Sequence, residues 1–367
     1  MQTWRRILLP FSFIYALIIR IRNYLYDTGR LESTSFGVPI IGIGNLTTGG
    51  TGKTPHIEYL IRLFQEEYQV ATISRGYGRK SKGFILAELP ANTHLIGDEP
   101  MQYLTKYKKV LVCVSENRIE AVTNLLKSDK QPQVILLDDI FQHRRIVPGI
   151  NILLIEFDSI FNKDFLLPAG NRREPWSSAK RADIIMISKS PSILAPVERK
   201  KIIEYIRTLS DKPLFFTFIK YGELARVFGN QNSMQMGLEY YREKNFTILL
   251  LAGIANPSGL IEYLRRFTDK LEIIVFNDHH EFNRKDILTI QQTFDTILSP
   301  NKIIVTTEKD MMRLKNPDID ISIQKLPIFY LPIEVAFHQE EELFKQITKD
   351  YVRKNQANNR LLTRKNN

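Results

Sequence analysis

The 367-residue chain reads as an α/β protein: a mostly parallel sheet flanked by helices, a second and smaller α/β domain, and a membrane-associated helix in front. Three observations lead there. Short β-rich apolar runs recur with helical patterns between them. Those runs are continuous rather than alternating, as in strands covered on both faces. A glycine-rich segment, Thr47-Thr48-Gly49-Gly50-Thr51-Gly52-Lys53-Thr54, lies between one such run and a helix, the setting a phosphate-binding loop requires.

The first element is the uncharged stretch Ile7 to Ile19, bracketed by Arg5, Arg6, Arg20 and Arg22. Its apolar residues follow helical spacing, yet the uncharged run is shorter than the ~20 residues a spanning helix needs. Arg-Ile-Arg-Asn is a poor signal-peptide cleavage site. The segment therefore predicts a helix lying in a membrane interface, with arginines on lipid phosphates and Trp4, Phe11 and Tyr15 at headgroup depth. A core helix of the first domain fits the composition too.

Val38–Ile43, Val70–Ile73, Val110–Val114, Val134–Leu137, Ile152–Phe157 and Ile184–Ile187 are the strands expected of the first sheet. Helical patterns cover Ile57–Phe64 and Ile119–Leu126. The second set comprises Thr247–Ala252, Leu271–Phe276, Ile303–Val305 and Ile328–Leu331, with a helix over Leu260–Phe267. The polar stretch Gly222 to Asn245 marks a linker. The expected organisation is an amphipathic helix at 1–30, a P-loop domain at 31–213, a linker region at 214–245, the smaller domain at 246–335, and a helix with a basic tail at 336–367.

The motifs fall at strand ends. In Thr47–Thr54, glycines let backbone N–H groups turn toward phosphate oxygens, Lys53 reaches the outer phosphates and the Thr54 hydroxyl suits Mg²⁺. Thr47 stands where the common pattern has glycine. Val134 to Asp139 is a buried strand ending in two carboxylates, as a metal-holding Walker-B element does. Gly97-Asp98-Glu99-Pro100 reads equally as an N-cap, with Asp98 at the cap. Ser74 to Lys80 is a basic, glycine-rich loop at a strand end. Arg118 and the pair Arg172–Arg173 can clamp phosphate or be solvated. Asp278-His279-His280 closes a strand; His143 carries a weaker signal.

The net charge of +11 calls for an anionic partner. Arg5, Arg6, Arg20, Arg22 and Arg30 stand against Asp27 alone in the first thirty residues, which points to anionic lipid. Aromatic and basic residues are not interleaved as in single-strand binders, so nucleic acid is not expected, and nothing demands an obligate protein partner. The single cysteine, Cys113, excludes an internal disulfide and lies in an apolar run, which suits core.

Taken in order, Gly44-Asn45 through Thr54-Pro55, Ser74 to Arg79, Gly97 to Pro100, Asp138-Asp139 with Gln142-His143, Arg173-Glu174-Pro175, Ala252 to Ala255, Asp278 to His280 and Thr306 to Asp310 resemble the tetraacyldisaccharide 4′-kinase family. The resemblance implies a monotopic enzyme on the cytoplasmic face of the bacterial inner membrane. It would transfer the γ-phosphoryl group of ATP, with Mg²⁺, to the 4′-hydroxyl of an acylated glucosamine disaccharide 1-phosphate, in lipid A synthesis. It also implies roles: Asp98 as catalytic aspartate, paired with His279 or His280; Lys53, Arg118 and Arg173 on the phosphoryl group; Thr54, Glu99, Asp138 and Asp139 around the metal. The family usually has glycine after Asp-Asp, where this chain has Ile140; if that glycine serves a positive φ, Ile140 is strained. The rival reading is a P-loop ATPase for membrane targeting with no small-molecule acceptor, but such ATPases often carry a lysine where Thr48 stands.

Overall fold

The computed structural model describes residues 3–162, 164–229, 237–319 and 321–365, with side chains between 5 and 356. The Trp4 side chain, the centre of the linker (Asn230, Gln231, Asn232) and the tail side chains of Arg360, Arg364 and Lys365 lie outside that description. In chain order the strands are β1 Ile40–Asn45, β2 Val70–Ser74, β3 Ile85–Ala87, β4 Leu111–Val114, β5 Val134–Asp138, β6 Ile150–Glu156, β7 Ile184–Ser188, β8 Leu214–Tyr221, β9 Ala225–Arg226, β10 Thr247–Ala252, β11 Leu271–Val275, β12 Lys302–Thr307, β13 Ile328–Leu331 and β14 Ile333–Phe337.

Among the described residues they form two sheets, ordered β14-β8-β7-β6-β1-β5-β2-β4-β3 and β11-β10-β12-β13-β9. All neighbours are parallel except at β14–β8, β3–β4 and β13–β9. Strands β1, β2, β5 and β7 are buried at every position, which is why their sequences run apolar without alternation. One face packs Ile57, Leu60, Ile61, Phe64 and Tyr103. The other packs Ala121, Val122 and Leu125 beside Cys113, whose thiol burial pushes up to about 12. In the register, Ile43 faces Asp138 across β1–β5. The loop leaving β1 therefore emerges beside the carboxylates that end β5, at the carboxyl edge where parallel sheets bind ligands.

Two boundaries differ from expectation. Leu214–Tyr221 is not linker but β8, inside the larger sheet, and the chain crosses to the second sheet just beyond it. The chain also returns: β14 pairs antiparallel with β8, Ile333 opposite Tyr221, and helix Glu341–Lys365 buries Phe344 and Val352 in the first core. The polar stretch after Tyr221 hid the first crossing. Pairing between strands more than a hundred residues apart hid the second. The two crossings touch, with Gly222 N–H donating to the Pro332 carbonyl at 2.8 Å.

A 3-10 turn, Thr3–Leu8, leads into helix Leu9–Asp27. The stretch Arg5–Asp27 is 23 residues, long and apolar enough to cross a membrane by length and composition, because it continues past the arginines that end the uncharged run. One face is docked on the protein. The Ser12 hydroxyl donates to the Leu166 carbonyl and accepts from the Ala169 N–H, each at 2.9 Å, and the Tyr15 hydroxyl donates to the Arg173 carbonyl at 3.0 Å. Arg5 donates to the Pro168 and Gly170 carbonyls, and Arg22 and Asn23 to Glu174. Tyr15, Arg5 and Arg22 thus face protein rather than lipid, since buried carbonyls and a buried carboxylate need those donors. The opposite face, with Ile7, Phe11, Phe13, Ile14, Leu17, Ile18 and Ile21, is exposed.

Candidate active site between the two sheets

The phosphate loop joins β1 to helix Lys53–Phe64. Gly49 and Gly52 have φ of +106° and +85°, conformations open to glycine. Asn45 donates to the Thr51 hydroxyl at 2.9 Å, and Ser188 donates to the Thr51 carbonyl at 2.8 Å. Thr47 forms a bridge with Arg172, so that position is extended and needs no glycine. Thr48 N–H donates to the Asn171 carbonyl and Arg173 N–H to the Leu46 carbonyl, both at 2.7 Å. The loop's entry and the segment holding Arg173 are therefore one unit.

Beside the loop, Asp139 lies 3.5 Å from Lys53 Nζ and receives Arg173 Nη1 on both oxygens, at 3.0 and 2.9 Å. Burial would raise its pKa, but Lys53 and Arg173 hold it below the usual range. Asp138 is different. Burial, opposed by Lys53 but helped by Glu99 and Asp139, raises it to about 6. Its Oδ1 is buried without a partner, and Oδ2 lies 3.4 Å from the Tyr103 hydroxyl, which also meets Thr54. Glu99 is held by Lys309 at 2.6 Å. Arg118 is buried; one nitrogen donates to the Ser115 carbonyl, while Nε and Nη2 have no partner. Burial lowers its pKa to about 10 against the pull of Asp138 and Asp139. Unpartnered N–H groups within electrostatic reach of an unpartnered carboxylate oxygen suit a phosphate with its cation.

Asp98 is not the cap. Gly97 holds that position with φ +91°, and Asp98 begins helix Asp98–Lys106. His279, from the loop after β11, places Nδ1 2.8 Å from Asp98 Oδ2, and Arg313, from helix Glu308–Leu314, donates Nε and Nη2 to the same oxygen at 2.9 and 2.6 Å. Burial works to raise the Asp98 pKa, but the bonds and charges of His279 and Arg313 outweigh it and bring it to about 2. His279 has φ +59° and Asp139 +51°. Both are residue types that tolerate the left-handed region better than most, and both sit where a turn re-aims a functional side chain. His280 turns away, to Asp286 at 2.9 Å and a stack on Phe276, so the geometry pairs His279 with Asp98. A cleft of about 200 Å³, lined by Gly78, His94, Asp98, His279 and Arg313 among others, opens beside this pair. His143 is half-buried, and burial lowers it to about 4.

Ile140 carries no positive φ; that conformation falls on Asp139 instead. Ile140 is buried, and a Cβ on Gly42 would lie 2.5 Å from its side chain. The side chain fills the space above a glycine strand rather than straining a turn.

Comparison with known proteins decides the family. Residues 4–352 match the family described as Tetraacyldisaccharide-1-P 4′-kinase, LpxK. The chain belongs to that family. Tetraacyldisaccharide 4′-kinase of Phocaeicola vulgatus is 41% identical over 354 residues, covering 96% of each chain. That of Bacteroides thetaiotaomicron is 42% identical over 366 residues, covering 98% of this chain and 96% of the relative. Among solved structures, the "apo" form of LpxK from Aquifex aeolicus in complex with ATP superposes with a TM-score of 0.72 at 30% identity, covering 95% of this chain and all of that one. In this chain, sequence reasoning missed Arg313 and Lys309 as partners of Asp98 and Glu99. Lys309 lies in the stretch Thr306 to Asp310, and Arg313 stands one helical turn beyond Asp310, to which it donates at 2.8 Å. That i, i+3 spacing was the available signal. Tyr77, whose ring lies tilted against His279 with centroids 4.7 Å apart, gave no sign beyond its glycine-flanked place.

Proposed function

We propose that this chain transfers the γ-phosphoryl group of ATP to the 4′-hydroxyl of a tetraacylated glucosamine disaccharide 1-phosphate, at the cytoplasmic surface of the inner membrane. The observation that carries the reading is a phosphate loop flanked by Asp138 and Asp139, with Asp138 within electrostatic reach of the neighbouring acidic pair Asp98-Glu99, whose Asp98 is fixed by His279 and Arg313. Glu99 links the halves, since it follows Asp98 in the chain and its charge acts on Asp138.

The backbone of Gly49 to Thr54 and Lys53 hold the β- and γ-phosphates. Arg118 and Arg173 face the charge that grows on the transferring group; for Arg173 this means exchanging Asp139 for phosphate oxygens. Thr54 and Asp138 would hold Mg²⁺, with Asp139 and Glu99 as its acidic neighbourhood. Among the described residues no three of His, Cys, Asp and Glu could hold a metal by themselves, which suits Mg²⁺, a cation that leans on one or two carboxylates, water and substrate phosphates. Bound there, the ion would neutralise the triphosphate. Asp98 accepts the hydrogen bond of the attacking hydroxyl and takes its proton as the O–P bond forms and the bond to ADP breaks. With a pKa near 2 it is a weak base, so the proton leaves late, when the hydroxyl has become acidic. That fits a loose transition state, in which alignment matters more than base strength.

The exposed face of Leu9–Asp27 lies in the bilayer interface and the docked face keeps the helix from crossing. The test is transfer of radiolabelled γ-phosphate from ATP to an acylated disaccharide 1-phosphate, against an unacylated control. Label in the lipid is expected, and Asp98→Ala is expected to lower kcat by about 10²–10⁴ with less effect on ATP affinity. ATP hydrolysis without lipid labelling would favour the targeting ATPase.

A further inference from the structure

A second cluster of buried charge, away from the reacting groups, joins three helices that each carry part of the site. Lys106 Nζ lies 2.6 Å from Glu58 and 2.9 Å from Glu308. Gln102 Nε2 donates to the same two carboxylates, at 2.7 Å to Glu58 and 3.4 Å to Glu308. Arg62 stands 3.8 Å from Glu58, the Lys106 ammonium sits 5.9 Å over the Tyr107 ring, and Ile333 N–H points at Glu308 from 3.4 Å. Glu58 and Glu308 are 1% and 5% exposed.

Each member shares a helix with a group of the site. Glu58 is on Lys53–Phe64, which begins with the phosphate-loop lysine. Gln102 and Lys106 are on Asp98–Lys106, which begins with Asp98 and Glu99. Glu308 opens helix Glu308–Leu314, which carries Lys309 and Arg313. The last two helices pack side by side, and Asp98–Lys106 is bridged to the other from both of its ends: by Lys106–Glu308 at one, by Glu99–Lys309 and Asp98–Arg313, each 2.6 Å, at the other. Burying two carboxylates around one ammonium is a weak source of stability, because desolvation offsets the attraction and apolar replacements often do as well. Its geometry is specific: one ammonium and one amide fix three backbones from two sheets.

We infer that Lys106, with Gln102, Glu58 and Glu308, forms a positioning junction that sets where Asp98 stands relative to the phosphate loop and to Arg313. The junction acts through those helices and touches no reacting atom. It rests on the phosphotransfer reading above, whose residues it places.

The test compares the full-length protein with Lys106→Met, Lys106→Arg and Gln102→Met in detergent. It reads kcat and KM for phosphoryl transfer, ATP affinity by calorimetry without acceptor, and thermal melting. In Lys106→Met, kcat is expected to fall about 10- to 100-fold, the scale of an ångström-level misplacement, with ATP affinity within about threefold because the loop's own contacts remain. Lys106→Arg is expected to regain most of the rate. If Lys106→Met does not fold, Gln102→Met keeps the ammonium, removes the amide bridge and must show the same split. A folded variant with unchanged kcat overturns the junction, as does a melting temperature that falls while kcat holds. Wild-type protein that labels no lipid removes the reading and the junction together; normal wild-type transfer with unaffected variants removes the junction alone.

Discussion

Asp98 receives three bonds on one oxygen from two residues of the other sheet, so its charge contributes to holding the halves together as well as to chemistry. Its folded pKa, about 2 against an ordinary 3.8, is depressed. The stabilisation is therefore complete above the unfolded value and is lost as pH falls through the folded one. Asp98→Asn is expected to cost about 2 kcal/mol near neutrality, with the gap to wild type closing as pH drops from about 4 toward 2; urea unfolding across that range checks it. Ile140 gives a second residue-scale expectation. Because it fills space over Gly42, Ile140→Gly is expected to lower stability by roughly 2–5 kcal/mol rather than relieve strain. A melting temperature that rises would contradict that packing. The phosphate loop and Asp138–Asp139 were legible because each sits in a short contiguous motif at a strand end, whereas Asp98 read locally as a helix cap and stood out only through the family resemblance. Arg313 was not, because its partner is 215 positions away and one arginine on an amphipathic helix looks like any other.

Among elements, the strands of both sheet centres were legible because full burial leaves an unbroken apolar run. The edge strands β3, β9 and β14 were not, since each is short, partly exposed and defined only by its neighbour. The amino-terminal helix was legible as amphipathic, but which arginines face outward depends on carbonyls contributed by residues 168 and 170, which no local pattern reveals. Its open face offers a cleaner test than truncation, which would also strip the bonds to Leu166, Ala169 and Arg173. Ile7 and Phe13 are 77% and 83% exposed. Ile7→Asp with Phe13→Asp is expected to abolish co-sedimentation with anionic vesicles while leaving the melting temperature unchanged, as suits surface positions. Undiminished sedimentation would reject the anchor.

For the whole molecule, the sequence suggested two domains in series, whereas the chain leaves the first sheet after β8, builds the second, and comes back as β14. Both crossings lie together at Gly222 and Pro332, and the acidic and basic groups of the site come from both sides of that junction. The stretch from Leu166 to Glu174 has the widest reach. One flank is gripped by the amino-terminal helix and the other by the entry to the phosphate loop. With that helix seated in lipid, the height above the bilayer at which a phosphoryl group changes hands is set by a few covalently spaced residues. The enzyme would then measure its acceptor as a gauge does: a sugar hydroxyl carried at the wrong elevation, by a longer headgroup or a shallower seat, would miss the donor however well the rest of it bound.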